Sequence, residues 1–80
     1  MDETKRFYTH RVEYNKTKKA ENRVVSGYDT EDAAVAAFHE YMRDDINNND
    51  ISWANVIVTN AYGVIIKNEY WEDKTPAPSI

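Results

Sequence analysis

One helical segment set between two pairs of strand-like runs limits what this chain can fold into more than any other feature. Asp29 to Ile46 is the only stretch with a sustained helical period. At about 100° per residue, Ala34, Val35, Tyr41, Met42 and Ile46 share the side of Phe38. Asp29 or Thr30 can accept hydrogen bonds from the free first-turn N–H groups, and Glu31 and Asp32 follow where the helix dipole favours negative charge. A single helix covers a single face of a sheet. A four-stranded sheet built from the flanking runs therefore keeps one face without cover.

The strand signals are alternations. Arg6 to Asn15 sets Tyr8, His10, Val12 and Tyr14 against Phe7, Thr9, Arg11 and Glu13, and the first set is the more apolar candidate for the core. Lys16 to Asn22 is a polar loop, and Arg23 to Tyr28 is a second strand with Val24, Ser26 and Tyr28 on one side. After the helix, Asn47 to Asp50 is a turn-forming cluster. Ser52 to Asn60 then alternates Ala54, Val56 and Val58 with Trp53, Asn55, Ile57 and Thr59. Gly63 supplies a turn, and Val64 to Trp71 returns.

The expected fold is α+β with order ββαββ, one helix on one face of a four-stranded, mainly antiparallel sheet. Tyr8, Val12, Val24, Val56, Val58, Val64 and Ile66 are expected to meet Ala34, Phe38 and Met42. The domain runs over 6–72, between a frayed N-terminus (1–5) and a disordered tail (73–80) that holds both prolines. At 80 residues with no cysteine, the core has no disulfide or thiolate metal site to support it. Six Tyr, two Trp and two Phe must supply much of the buried area.

The uncovered face is the best place to look for function. Trp53, Ile57, Ile65 and Trp71 are expected to project from the second hairpin away from the helix. Cross-strand neighbours lie about 5 Å apart, close enough to form one apolar cluster. Such patches mark partner surfaces, with homodimerisation the commonest reason.

Chemistry is poorly represented. His39-Glu40 begins like a zinc-protease helix, but the second histidine that motif requires is Arg43. Asp45 to Asp50 begins like a calcium loop, yet Asp50 replaces the required glycine and Val56 the bidentate glutamate. Gly27 and Gly63 are the only glycines, too few for a phosphate loop, and no serine has a nucleophile setting. These observations point to a protein that is not an enzyme and needs neither metal nor cofactor.

Charge suggests two further surfaces. The net charge of −4 combines a basic first 24 residues, seven cations against four acids, with an acidic remainder. Glu40, Asp44, Asp45 and Asp50 gather acid at the helix end, where the dipole disfavours it; they form a candidate patch for a basic partner. Arg11, Lys16, Lys18, Lys19 and Arg23 on the first hairpin are the candidate nucleic-acid contacts, although the overall acidity argues against a nucleic-acid partner. No apolar run reaches the roughly 20 residues of a membrane span, and MDETKRFY holds no signal-peptide core. The expected setting is cytoplasmic, away from membranes.

FYTHRVEYN, YDTEDAAVAAFHEYM and VIVTNAYGVIIKNEYW together resemble the small acidic open reading frames of phages and prophages of Gram-positive bacteria. The resemblance covers about residues 6–72 and transfers no functional residue. It implies stoichiometric binding, as in phage inhibitors of host defence. The leading expectation is thus a non-catalytic protein-interaction or inhibitor protein, with nucleic-acid binding through the first hairpin as the alternative.

Overall fold

The computed structural model describes residues 6–73. The expected N-terminal fray and all of the expected tail except Asp73 lie outside them. The elements are β1 (Phe7–Asn15), β2 (Ala20–Tyr28), α1 (Glu31–Asn47), β3 (Ile51–Asn60) and β4 (Ile65–Glu72). The four strands form one antiparallel sheet in the order β2-β1-β3-β4, with α1 packed on one face. This is the α+β fold, ββαββ, that the alternations imply.

Side-chain chemistry sets each boundary. Thr30 caps α1 by accepting the Ala33 N–H at 3.2 Å. Asn48 ends the helix: its backbone N–H donates to Asp45 O, and its side-chain oxygen accepts the Asp50 N–H at 2.9 Å. In the β3–β4 turn, the Asn60 side chain accepts from the Tyr62 and Val64 N–H groups at 2.8 and 3.0 Å, while Gly63 takes φ +83°. The first hairpin loop is shorter than its polar composition suggests. Ala20, Glu21 and Asn22 pair with Asn15, Tyr14 and Glu13. Backbone pairing to β1 makes a strand there although all three side chains are exposed and two of them are polar. Asp73, expected to open the tail, instead donates its N–H to Ser52 O at 2.8 Å.

The core is small. Its buried apolar residues are Ala34, Ala37, Phe38, Met42, Ile51, Ala54, Val56 and Val58, with Phe7, Tyr28, Tyr41 and Trp71 partly buried around them. Val56 and Val58 meet Ala34, Phe38 and Met42 as expected, but β1 presents the opposite face from the expected one. Arg11 is the partner of Val56 and Thr9 of Val58, so Thr9 and Arg11 share the helix side with those valines. Thr9 is fully buried, and its Oγ1 donates to Ala34 O at 2.8 Å. Tyr8, His10, Val12 and Tyr14 consequently occupy the other face.

Two irregularities complete the correction. Between β1 and β3, Ser52 is the extra residue that allows Ile51 to pair with Asn15. Between β3 and β4, Thr59 pairs with Ile65 and Val58 with Lys67, leaving Ile66 as the extra residue. Val64 and Ile66 are therefore outside the core, 57% and 38% exposed, and Val24 is on the exposed edge strand. Lys67 sits on the helix side, its Nζ 5.1 Å from the centre of the Phe38 ring.

Phe38→Ala should remove about 3–5 kcal/mol by leaving a cavity in this core, whereas Thr30→Ala should remove about 1 kcal/mol by exposing a first-turn N–H. Urea unfolding followed by circular dichroism tests both values and their order.

Candidate protein-binding face

The face away from α1 is laid out in cross-strand rows. At one end Glu21, Tyr14, Trp53 and Glu72 lie side by side, and next come Arg23, Val12, Asn55 and Tyr70. The third row is Val25, His10, Ile57 and Asn68, and the last brings Tyr8 and Thr59 beside Ile65. Three aromatic rings form a ladder across β1, β3 and β4. Tyr14 and Trp53 are nearly parallel, with centroids 6.2 Å apart and an interplanar angle of 10°; Trp53 and Tyr70 are 6.3 Å apart.

Beyond the ladder the surface dips into a shallow depression of about 640 Å³, floored by Tyr8, His10, Val12, Ile57, Thr59 and Ile65. His10 Nε2 and Thr59 Oγ1 lie 3.0 Å apart, a hydrogen bond whose direction follows the tautomer. Charge on this face is confined to the outer strands: Glu21 and Arg23 on β2, and Glu72 on β4. Asn55 stands near the middle, and its Oδ1 is buried with no hydrogen-bond partner among the described residues.

Trp53, Ile57 and Ile65 thus share the open face as expected. Trp71 does not. It pairs with Ala54 and packs against the helix-side core. The extra residue Ile66 shifts the alternation, so Ile65 and Trp71 lie on opposite faces despite their even spacing. Their apolar character points Tyr8, Val12 and Tyr14 toward the helix, but the register with β3 adds them to this surface. Their own alternation shows that they lie together, while the register with β3 decides on which side.

The acidic set is not one patch. Asp45 is 0% exposed and forms the centre of a buried charge cluster. Arg11 Nε donates to Asp45 Oδ2 at 3.2 Å, and Arg11 Nη2 contacts both Asp45 Oδ1 and Glu13 Oε2, the latter at 2.8 Å. The Tyr41 ring lies 5.0 Å from the Arg11 guanidinium carbon. Asp50 is tied to the first loop, accepting from Thr17 Oγ1 at 2.8 Å. Only Glu40 and Asp44 remain on the exposed side of the helix.

The basic set is divided as well. Arg11 is held under the helix by Asp45. Lys16 lies 3.8 Å from Asp73, and Arg23 lies 3.4 Å from Glu21. Lys18 and Lys19 are exposed in the loop. The five cations therefore do not line a common surface.

Two carboxyls share one guanidinium in this cluster, and their protons respond accordingly. Burial pushes the Asp45 carboxyl up to about 6; Arg11 opposes the rise, and the adjoining Glu13 carboxylate adds to it. For Glu13, burial also pushes upward. The hydrogen bond from Asp45 and the Arg11 charge outweigh it and hold Glu13 below its usual range.

Among the described residues, no group of three or more His, Cys, Asp or Glu side chains is arranged to hold a metal ion. No described helix is long and apolar enough to cross a membrane. Comparison of the chain with protein-family models, with curated proteins and with solved structures yields no match.

Arg11→Met leaves two buried carboxyls without their cation and should cost about 3 kcal/mol. The pH dependence has a definite sign. Because the Asp45 pKa is higher folded than unfolded, its stabilising contribution is full below about pH 4 and is lost as pH rises through about 6. Asp45→Asn removes that titration, so its stability relative to wild type should improve between pH 4 and pH 7. Urea unfolding of both proteins across this range measures the difference. A difference independent of pH would contradict the assignment.

Proposed function

We propose that this chain is a non-catalytic interaction protein that binds another protein through the open face of its sheet. The observation that carries this reading is the contiguous aromatic and aliphatic surface running from the Tyr14–Trp53–Tyr70 ladder to Ile57 and Ile65, with charge only on the outer strands. An apolar centre with a polar rim is the anatomy of a protein-binding surface, and Trp and Tyr are the residue types that dominate binding energy there. A face this shallow suits a macromolecule better than a small substrate.

The resemblance to small acidic phage open reading frames favours a particular version of this role. In that version the protein is a stoichiometric inhibitor of a host defence component and works in the cytoplasm. The first-hairpin route to nucleic acid draws little support, because Arg11 is committed to Asp45 and the overall charge is acidic.

Affinity capture from the native host, with tagged wild type and a Trp53→Ser/Ile57→Ser variant, tests the reading. Wild type should retain a partner at stoichiometric yield, and the variant should lose it while its unfolding remains cooperative. A partner retained equally by both proteins would remove the open face from the proposal.

A further inference from the structure

We infer that the outer edge of β2 takes up an extended segment of a partner protein as an added strand, with acidic residues at the end of that segment beside Lys18 and Lys19. The inference stands apart from the reading of the open face, because it concerns the backbone edge of the sheet.

The sheet has two outer strands, and the sequence closes only one of them to further pairing. Natural sheets block their edges with bulges and with inward-pointing charges, lysine above all. β4 has both. Ile66 is the extra residue in its pairing with β3, and Lys67 points inward to the Phe38 ring. β2 has neither. It pairs with β1 without a break from Asn15–Ala20 to Phe7–Tyr28, and its nine residues include no proline and no lysine. That run is longer than the usual strand of about five or six residues. Among the described residues, β1 is its only strand partner.

The outward backbone groups follow from the hydrogen bonds. Lys16 N–H donates to Asp50 O at 2.8 Å, so even-numbered residues along β1 turn their backbone groups to β3 and odd-numbered ones to β2. Asn22, Val24 and Ser26, opposite Glu13, Arg11 and Thr9, therefore bond inward. Glu21, Arg23, Val25 and Gly27 turn theirs outward, one donor and one acceptor about every 6.8 Å. Another extended backbone matches donors and acceptors at that spacing, which makes a peptide strand the chemical class of ligand.

Side chains narrow the segment further. Val24 is 41% exposed on the helix side and Val25 is 61% exposed on the open side. The middle of an added strand therefore gains from β-branched residues on both of its faces. Lys18 and Lys19 are exposed in the loop that leads into β2. In antiparallel pairing, the more stable arrangement, the C-terminal end of the added strand lies beside that loop, where carboxylates meet the two lysines.

Amide hydrogen exchange followed by NMR on the full chain tests the edge. The probe is a synthetic peptide as long as β2, with Val-Val at its centre, threonines on either side and two glutamates at its C-terminus. At saturating peptide, exchange at Arg23, Val25 and Gly27 should slow by about 10-fold or more, while Val24, already bonded to β1, should change less. Val25→Pro removes an outward donor and keeps the bonds to β1, so it should abolish the slowing at Arg23 and Gly27. Val25→Lys keeps the whole backbone and should weaken the peptide by about 10-fold. Asn68→Pro, on β4, should leave binding unchanged. Lysines in place of the two glutamates of the peptide should weaken it.

No slowing at these amides up to millimolar peptide overturns the inference. So does slowing on β4 instead. Outward amides already protected in the free protein overturn it as well, because the chain itself or a second copy would then hold the edge. None of these results touches the open-face reading, which fails separately if capture of a host partner is insensitive to Trp53→Ser/Ile57→Ser.

Discussion

The buried contact between Arg11 and Asp45 decides which face of the sheet the helix covers. Asp45 lies in the last turns of α1, where the helix dipole gives an anion no support, and it is wholly excluded from solvent. A charge in such a place persists only when paired, and here Arg11 supplies the pair. Arg11 reaches up from β1, and burial, with the Glu13 carboxylate beside it, raises the pH at which the carboxyl gives up its proton. Arg11 and Glu13 must therefore face the helix, and the rest of β1 follows by alternation. Phe7 and Thr9 turn inward, and Tyr8, His10, Val12 and Tyr14 turn outward.

That orientation has an unusual energetic consequence. Apart from Phe7, β1 contributes polar groups to the layer beneath the helix, and apart from His10 it contributes aromatic and aliphatic ones to the layer without a helix. The helix-side core is left thin, built around Phe38, Met42, Ile51 and the two β3 valines. The aromatic ladder and the isoleucines gather on the open face, where intramolecular packing cannot bury them fully. A charge cluster that fixes the orientation of β1 thus also leaves open the apolar surface proposed as the binding site. Specificity of this kind costs hydrophobic stabilisation, and burying the second face in an interface would recover it.

Much of the architecture was legible from local pattern. The helix cap at Thr30, the helix-ending asparagines, the Gly63 turn and the order of elements follow from residue chemistry within a few positions. Part of the candidate surface was legible too, since Trp53 and Ile57 alternate with the valines that form the core. Faces were harder to assign. Hydrophobicity made Tyr8 and Val12 look like core, but a strand with two alternating sets cannot say which one meets a distant helix. Trp71 escapes simple alternation for a related reason. One extra residue at Ile66 reverses the alternation, and no letter in VIIKNEYW marks where partner β3 will force it. The anion at the end of the helix did carry a signal, because Asp45 contradicts the dipole rule. Its explanation lay more than 30 residues away in Arg11, which by composition belonged to a basic hairpin.

The sequence by itself determined what is local: one capped helix, four strands, their turns, and the fact that one helix cannot cover two sheet faces. These depend on φ/ψ preferences, capping hydrogen bonds and short-range periodicity, all encoded within a few residues of where they act. Tertiary structure alone decided which face is covered, because that choice rests on the β1–β3 register, two extra strand residues and a charge pair that joins distant segments. It placed Trp71 inside and Tyr14 outside, and it turned Asp45 from a surface acid into the buried partner of Arg11.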